Sequence, residues 1–389
     1  MTRQQDAPLV GIVGAGIGGL TLAACLRGSG LRVEVFEQAP AFERVGTGIM
    51  LAPNAVKSLA GIGLAHALDG TAVAAPTLRN REWDTGKLLF ELALGEGAEA
   101  TYGAPFLLAH RGDLHAALQQ AVPREEITLG VRLVGVEPAA DRTALVFADG
   151  TRRIVDVVVG ADGVHSVVRS SLFTQSAANF TGRVAYRAVY PTQLVQASGR
   201  APKTMSSTKW WGPDRHLVIY YISAGKEIYF TTSVPDPDWT TESWSAKGSL
   251  EDLASAFAGF HPEVGAVIKA CPSVNKWAIY DRDPLEKWYN GNAVLLGDAC
   301  HPMTPYMAQG AATSMEDAVV LSRCMVQFGV DRLADAFSHY EGVRKPRTNM
   351  MQAISRANTW LRAETDPSPV YGYDAWSAPL ELPEAVDVH

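Results

Sequence analysis

The sequence predicts an α/β fold built on a parallel sheet, with a second, mostly antiparallel sheet inserted in its later half. Three observations carry that prediction. GIVGAGIGGL at residues 11–20 runs from a buried-strand pattern through closely spaced glycines into a helix pattern. Two more apolar strands, IVDVVVG and NAVLLGD, end at Gly160 and Asp298. Between residues 180 and 290 the texture changes to aromatic-rich strand patterns such as GRVAYRAVY, TKWWGP, RHLVIYYIS and EIYFTTSVP.

Gly14, Gly16 and Gly19 fit G-x-G-x-x-G between a strand and a helix. Gly14 allows the tight turn, Gly16 lets the backbone approach a pyrophosphate, and Gly19 lets helix and strand pack closely. The helix start offers unpaired N–H groups and a positive dipole end to phosphates. A plain glycine turn would give the same hexapeptide. The next strand, LRVEVFEQ, argues against that, because it ends at Glu37, eighteen residues beyond Gly19. A carboxylate there can accept hydrogen bonds from an adenosine ribose. Together they predict a Rossmann-like dinucleotide site without choosing between NAD and FAD.

RVGTGIMLAPNAVKSLAGIGL (44–64) reads as a loop entering a helix near Asn54. FLLAHRGDLHAALQQAV reads as a short strand entering an amphipathic helix whose start Asp113 supports. Residues 127–163 alternate as strands with turns at DR and ADGT. The last of these, IVDVVVG, is apolar enough for a parallel sheet covered on both faces. The expected organisation is a cofactor-binding domain over 1–175, lending part of the substrate sheet near 75–105. An inserted substrate domain follows over 176–290, a return to the first domain over 291–365, and a surface-wrapping tail over 366–389.

A net charge of −7 and the lack of a basic stripe speak against nucleic acid. Cys25, Cys271, Cys300 and Cys324 lack C-x-x-C spacing, which suits a reducing compartment and neither zinc nor disulfides. Nothing is long and apolar enough to span a membrane. The expectation is a cytoplasmic protein without metal, as monomer or homodimer.

GADGVHSVVR (160–169) and GDACHPMTPYMAQGAATSMEDA (297–318) each place an Asp beside glycine at a strand end, where α/β sheets bind ligands. Taken with the first motif, in this order and across almost the whole chain, they resemble the single-chain FAD-dependent aromatic monooxygenases, the group A flavoprotein hydroxylases. The resemblance implies a para-hydroxybenzoate hydroxylase-like architecture. It also implies FAD, NAD(P)H with NADH favoured, O2, and a small aromatic or pyridine carboxylate hydroxylated through a flavin C4a-hydroperoxide. It places Gly14, Gly16, Gly19 and Glu37 at the ADP half of FAD and Arg111 against the cofactor. Asp162 falls in a motif serving both FAD and NAD(P)H, Asp298 at the ribityl–phosphate region, and Gly310 and Ala311 at the flavin ring.

KWW, DRHLVIYY, ANTW and VYGYD further resemble the branch that performs decarboxylative hydroxylation of a pyridine. Against that branch, Met50 and Tyr306 stand in place of histidines and Ser207 in place of a cysteine, while His216 and Tyr220 are kept. His216 and Tyr220 are four apart in a strand pattern, so both can point to one face. There His216 can take the proton of a ring hydroxyl and Tyr220 can relay or hold it. A surface histidine and a core tyrosine would show the same spacing. Arg187 either neutralises a substrate carboxylate or is structural. Trp210 is assigned to an aromatic pocket wall, although alternation lets only one of Trp210 and Trp211 point inward. His301 and His165 read as structural. A salicylate or 3-hydroxybenzoate hydroxylase type stays open, as does a flavin dehydrogenase or reductase on the same fold.

Overall fold

Strand β1 (Leu9–Val13) is buried along its whole length, so it belongs in the middle of a sheet covered on both faces. The computed structural model, which describes residues 7–44, 46–139, 141–173, 178–241 and 246–381, places it there. After β1 come α1 (Ile17–Cys25), β2 (Arg32–Glu37), β3 (Gly48–Leu51), α2 (Pro53–Ala60) and β4 (Val73–Ala74). Next are β5 (Thr77–Glu82), β6 (Leu88–Ala93), α3 (Gly95–Tyr102), β7 (Leu107–His110) and α4 (Arg111–Gln120). Five strands follow: β8 (Ile127–Leu129), β9 (Leu133–Ala139), β10 (Arg142–Phe147), β11 (Arg152–Val155) and β12 (Val157–Gly160). Helix α5 (Val167–Leu172) leads to β13 (Asn179–Pro191), α6 (Thr192–Gln196), β14 (Ser207–Trp211), β15 (His216–Ile222) and β16 (Glu227–Pro235). Helices α7 (Leu250–Ala256) and α8 (Pro262–Ala270) precede β17 (Asn275–Asp281), β18 (Tyr289–Asn290) and β19 (Ala293–Leu295). The chain closes with α9 (Gly310–Phe328), α10 (Leu333–Ala357) and α11 (Ser368–Tyr371).

The core sheet has the order β18-β19-β12-β1-β2-β8, parallel except for β18. Val10, Ile12, Val157, Val158 and Val159 are wholly buried in it, each contributing about 1.5–3 kcal/mol of hydrophobic stabilisation. The antiparallel sheet β11-β10-β9 packs on one face: a Cβ on Gly11 would lie 2.9 Å from Val155 and 3.2 Å from Leu145. Helices α1 and α9 pack together, with Gly18 against Ser314 and Leu296.

IVDVVVG is therefore two strands, not the one expected. Asp156 makes the corner between β11 and β12, accepting from the Leu9 N–H at 2.7 Å and from Arg142 at 2.8 and 3.1 Å. The expected inserted sheet is present, in the order β17-β13-β16-β15-β14-β5-β6. Only its β14–β5 pairing is parallel, and β5 and β6 come from before residue 100. A small sheet, β3-β7-β4, joins the two halves. The helix read near Asn54 starts one residue earlier, because Pro53 is well suited to the first helical position. In the tail, Val370 and Tyr371 are buried, and Trp376 donates to the Ser58 carbonyl at 3.2 Å. Residues 382–389 of that expected segment lie outside the described residues. Among the described residues no helix is long and apolar enough to cross a membrane.

Candidate active site

The glycine loop is shaped by contacts that admit no side chain. Gly14 has φ +102°, and a Cβ there would come within 2.4 Å of the Ala161 carbonyl oxygen. A Cβ on Gly19 would sit 2.0 Å from the Gly14 carbonyl oxygen. Around Gly16, by contrast, no atom lies within 4 Å of where a Cβ would be, so the backbone is left clear for a ligand. Helix α1 begins there with no capping side chain. The Glu37 carboxylate is pinned beside the loop, accepting from the N–H of Ala15 at 2.9 Å and of Ala39 at 2.8 Å. His115, which no sequence motif marks, donates from Nε2 to the Ala15 carbonyl at 2.8 Å. Its only signal was a position on the inward face of α4.

The second part of the groove comes from the loops after β7 and β19. Arg111 is the first residue of α4, and burial lowers its pKa while the Asp298 charge opposes that. Surrounding protein pushes the Asp298 carboxyl upward, with His301 and Arg111 pulling the other way. Its Oδ1 is the nearest atom, at 4.0 Å, to a Cβ placed on Gly310. Gly310 and Ala311 open α9, which also lacks a capping side chain. Two uncapped helix starts, a clear backbone at Gly16 and a fixed carboxylate at Glu37 fit a flavin dinucleotide. The Asp162 carboxylate accepts from Ser166 Oγ at 2.5 Å and from the N–H groups of Val167 and Val168 at 2.7 and 3.2 Å. Asp162 holds the start of α5, and its backbone backs the Gly14 turn, which sets this motif beside the glycine loop.

The Glu316–Asp317 pair of the third motif is structural. Both are fully buried on α9, where unpaired carboxylates would be prohibitive. Arg344 of α10 bonds Asp317 at 2.7 Å and Glu316 at 2.8 Å, and Arg347 bonds Glu316 at 2.8 Å. His301 meets Asp317 at 2.5 Å and Asn54 donates to Glu316 at 2.7 Å. Burial opposes ionisation of Asp317, but His301 and Arg344 outweigh it and hold the carboxyl at about 2. Asp317 also accepts from the Gly297 N–H at 3.1 Å, which fixes the loop presenting Asp298.

The large sheet supplies the opposite wall. Strand alternation puts His216 and Tyr220 on one face of β15. That face looks towards the flavin half: a Cβ on Gly48 of β3 would lie 2.7 Å from the Tyr220 hydroxyl, and Tyr306 packs edge-on against His216 at 5.3 Å. Ser233 of β16 bonds the Tyr306 hydroxyl at 3.0 Å and Arg183 at 2.7 Å. Tyr229 lies 5.0 Å from Tyr220, and Arg187 lies over the Trp277 ring, close enough to Arg111 to feel its charge. Burial brings Arg187 down to about 10. Met50 packs against the apolar cluster of this sheet, and Ser207 is buried at the start of β14.

Trp210 must be reassigned. It faces away from the flavin half, stacked on His261 of the α8 start at 4.8 Å. Trp211 takes the inward position, 5.3 Å from His216, and also lines an open cleft of about 700 Å³ with Trp83 and Arg362. The proton relay between His216 and Tyr220 also needs correction, since four strand residues put them about 13 Å apart along β15. Burial, with Lys209 and Arg183, drives the His216 pKa well below its ordinary value. Burial and Tyr229 drive Tyr220 well above its own, with Arg187 opposing. Both side chains are therefore neutral hydrogen-bond donors at opposite ends of one face.

A glycine-loop nucleotide site facing a sheet of buried donors defines a flavin-dependent oxidoreductase. The chain belongs to the FAD binding domain family, matched over residues 8–353, and within it to the FAD-dependent aromatic-ring monooxygenases. It is 42% identical to 6-hydroxynicotinate 3-monooxygenase of Pseudomonas fluorescens, covering 98% of each chain. It is 39% identical to 3-amino-4-hydroxybenzoate 2-monooxygenase of Streptomyces cremeus, covering 87% of this chain and 84% of that one. A crystal structure of Klebsiella pneumoniae HpxO with FAD and uric acid superposes with a TM-score of 0.81 at 27% identity, covering 93% and 90%.

Proposed function

We propose that the protein hydroxylates a small hydroxylated pyridine or benzene carboxylic acid, with NADH as reductant and O2 as oxidant, and that the carboxylate leaves as carbon dioxide. One oxygen atom enters the ring and the other leaves as water, with two electrons taken from NADH. Bound FAD supplies the redox and oxygen chemistry. The observation that carries this reading is the inward face of the large sheet. It sets the neutral donors His216 and Tyr220 beside the cation Arg187 and the Lys209 amine, which burial and Arg362 bring down to about 7 and whose charged form an anionic ring would favour.

His216 donates to the ring's ionisable oxygen and favours its anion, which makes the ring nucleophilic, while Tyr220 donates to the other end of the substrate. Arg187 lies on the same face as Tyr220 and opposes the substrate carboxylate. Gly14, Gly16, Gly19 and Glu37 hold the ADP half of FAD, Arg111 and Asp298 its middle, and Gly310 and Ala311 the flavin ring. Met50, Ser207, Tyr306 and Trp211 shape the substrate wall. Identity to the 6-hydroxynicotinate enzyme supports the pyridine branch, and Met50 makes the end of the pocket near Tyr220 more apolar. The four cysteines are free, in keeping with a cytoplasmic setting.

The test is NADH-driven oxygen uptake on a panel of hydroxypyridine and hydroxybenzoate acids, with labelled O2 and product mass spectrometry. One labelled oxygen in a ring product that has lost its carboxyl group is expected. Substrate oxidation without label would favour a dehydrogenase, and a labelled product retaining the carboxyl group would remove the decarboxylation.

A further inference from the structure

The KWW and ANTW stretches meet at His216. Asn358 is the residue after α10, in the left-handed region at φ 50°, a conformation asparagine tolerates better than most residues. Its side chain reaches two neighbouring strands of the large sheet. Lys209 of β14, 149 residues away in sequence, donates from Nζ to Asn358 Oδ1 at 3.2 Å. On the other side, Asn358 Nδ2 lies 3.5 Å from His216 Nδ1. Lys209 Nζ also sits 3.9 Å over the Trp211 ring, and among the described residues no carboxylate pairs with it.

These contacts settle the direction of each hydrogen bond. Burial and Arg362 bring Lys209 down to about 7; below that pH it is an ammonium, which has only donors, so it selects the oxygen end of the amide. The NH2 end must then face His216. That group also only donates, so Nδ1 must accept and the ring proton must sit on Nε2. We propose that Lys209 and Asn358 lock His216 as the neutral Nε2–H tautomer, with Asn358 the positioning residue. Protonating His216 would set Nδ1–H against the amide NH2, and flipping the amide would set NH2 against the ammonium. The other groups facing the ring offer no anion: Arg183 from β13, Lys209 and Trp211 from β14, and Tyr306 from the loop before α9, with Arg362 beyond Trp211. His216 is thereby a hydrogen-bond donor to a ring oxygen and not the base that removes its proton. The ring-oxygen role rests on the monooxygenase reading, whereas the tautomer does not.

The tautomer can be read directly, without substrate. In FAD-loaded protein carrying ¹⁵N-histidine, with His216→Gln to assign the signal, long-range ¹H–¹⁵N correlation should show unprotonated Nδ1 and protonated Nε2. The pattern should hold from about pH 6 to just below 7, where a free imidazole titrates and Lys209 keeps its proton. Asn358→Asp replaces the donor at Nδ1 with an acceptor and should produce either an Nδ1–H tautomer or an imidazolium. Turnover should fall about tenfold to a hundredfold, with KM changed less. Lys209→Met frees the amide and should bring back mixed tautomers and titration nearer the ordinary range. A wild-type ring protonated on Nδ1, or titrating across that interval, overturns the lock, as does an Asn358→Asp spectrum identical to wild type. If Asn358→Asp does not fold, the wild-type and Lys209→Met spectra decide. A locked ring in a protein that hydroxylates nothing on the panel would leave the lock standing and sink the substrate reading.

Discussion

Around Gly14 to Gly19 the chain presents backbone to its ligand, whereas across the inward face of the large sheet it presents side chains. The first surface works through N–H groups, helix ends and the absence of Cβ atoms, with Glu37 fixed by two main-chain bonds. The second works through residues drawn from β13, β14, β15, β16 and the loop before α9. A backbone surface suits a cofactor that never changes. A side-chain surface, the proposed substrate wall, suits adjustment of preference, because one substitution alters one contact and leaves the strands intact.

That contrast predicts very different responses to mutation. Gly19→Val should have the largest effect, because its Cβ alone would lie 2.0 Å from the Gly14 carbonyl oxygen. Flavin absorbance per protein should fall to background, and yellow, fully loaded protein would show that the loop can yield. Arg344→Met leaves two buried carboxylates short of their cation and should cost about 3–5 kcal/mol, read as a drop in denaturant midpoint. Acid unfolding sharpens the same point. With the Asp317 carboxyl held at about 2, below the ordinary carboxylate range, its stabilisation is complete above that range. It disappears as pH falls towards about 2. In Arg344→Met the loss should begin at higher pH, and an unchanged acid transition would show that Arg344 does not set it.

Asp298→Ala should weaken FAD binding about tenfold to a hundredfold, the worth of a hydrogen bond to a charged group, measured by flavin titration of stripped protein. On the sheet side, Tyr220→Phe should lower the hydroxylation rate about tenfold and raise the share of oxygen lost as hydrogen peroxide. Wild-type coupling there would remove Tyr220 from the reacting face. Met50→His should have the smallest effect, a several-fold gain in kcat/KM for 6-hydroxynicotinate relative to a hydroxybenzoate. A ratio unmoved by the substitution would mean that Met50 is not in contact with the substrate.

Legibility followed the same division. Gly14, Gly16, Gly19 and Glu37 could be read because their geometry is local and spaced by one turn, one helix and one strand. The pairing of His216 with Tyr220 on a face followed from alternation alone, but the parity of KWW did not. Which tryptophan points inward depends on β14 lying beside β15 with Trp211 opposite His216. The partners of Glu316 and Asp317 were hidden for a similar reason: Arg344 and Arg347 lie on another helix, and nothing near the acidic pair names them. Asn358 carries no local signal of its role, since its contacts are made 142 and 149 residues away. Asp156 alone gave a local warning, a charge in the middle of an apolar run.

The order of strands in the core sheet bears on how the protein is made. Strand β12 is flanked by β1, from the start of the chain, and by β19, which follows the whole inserted sheet. A nascent chain leaving the ribosome can assemble β1, β2, β8 and β12, but it must hold that edge open while residues 161 to 292 emerge. Helix α9 comes later still, and in the proposed site its uncapped start forms part of the flavin groove. Contacts of such sequence separation close slowly. The inserted sheet therefore has its own strands at hand before that groove exists, and on the proposed site flavin would be gripped only once synthesis has passed α9. Riboflavin-starved cells should consequently accumulate chains whose fault lies around α9 and the Asp298 loop, which limited proteolysis of apoprotein would locate.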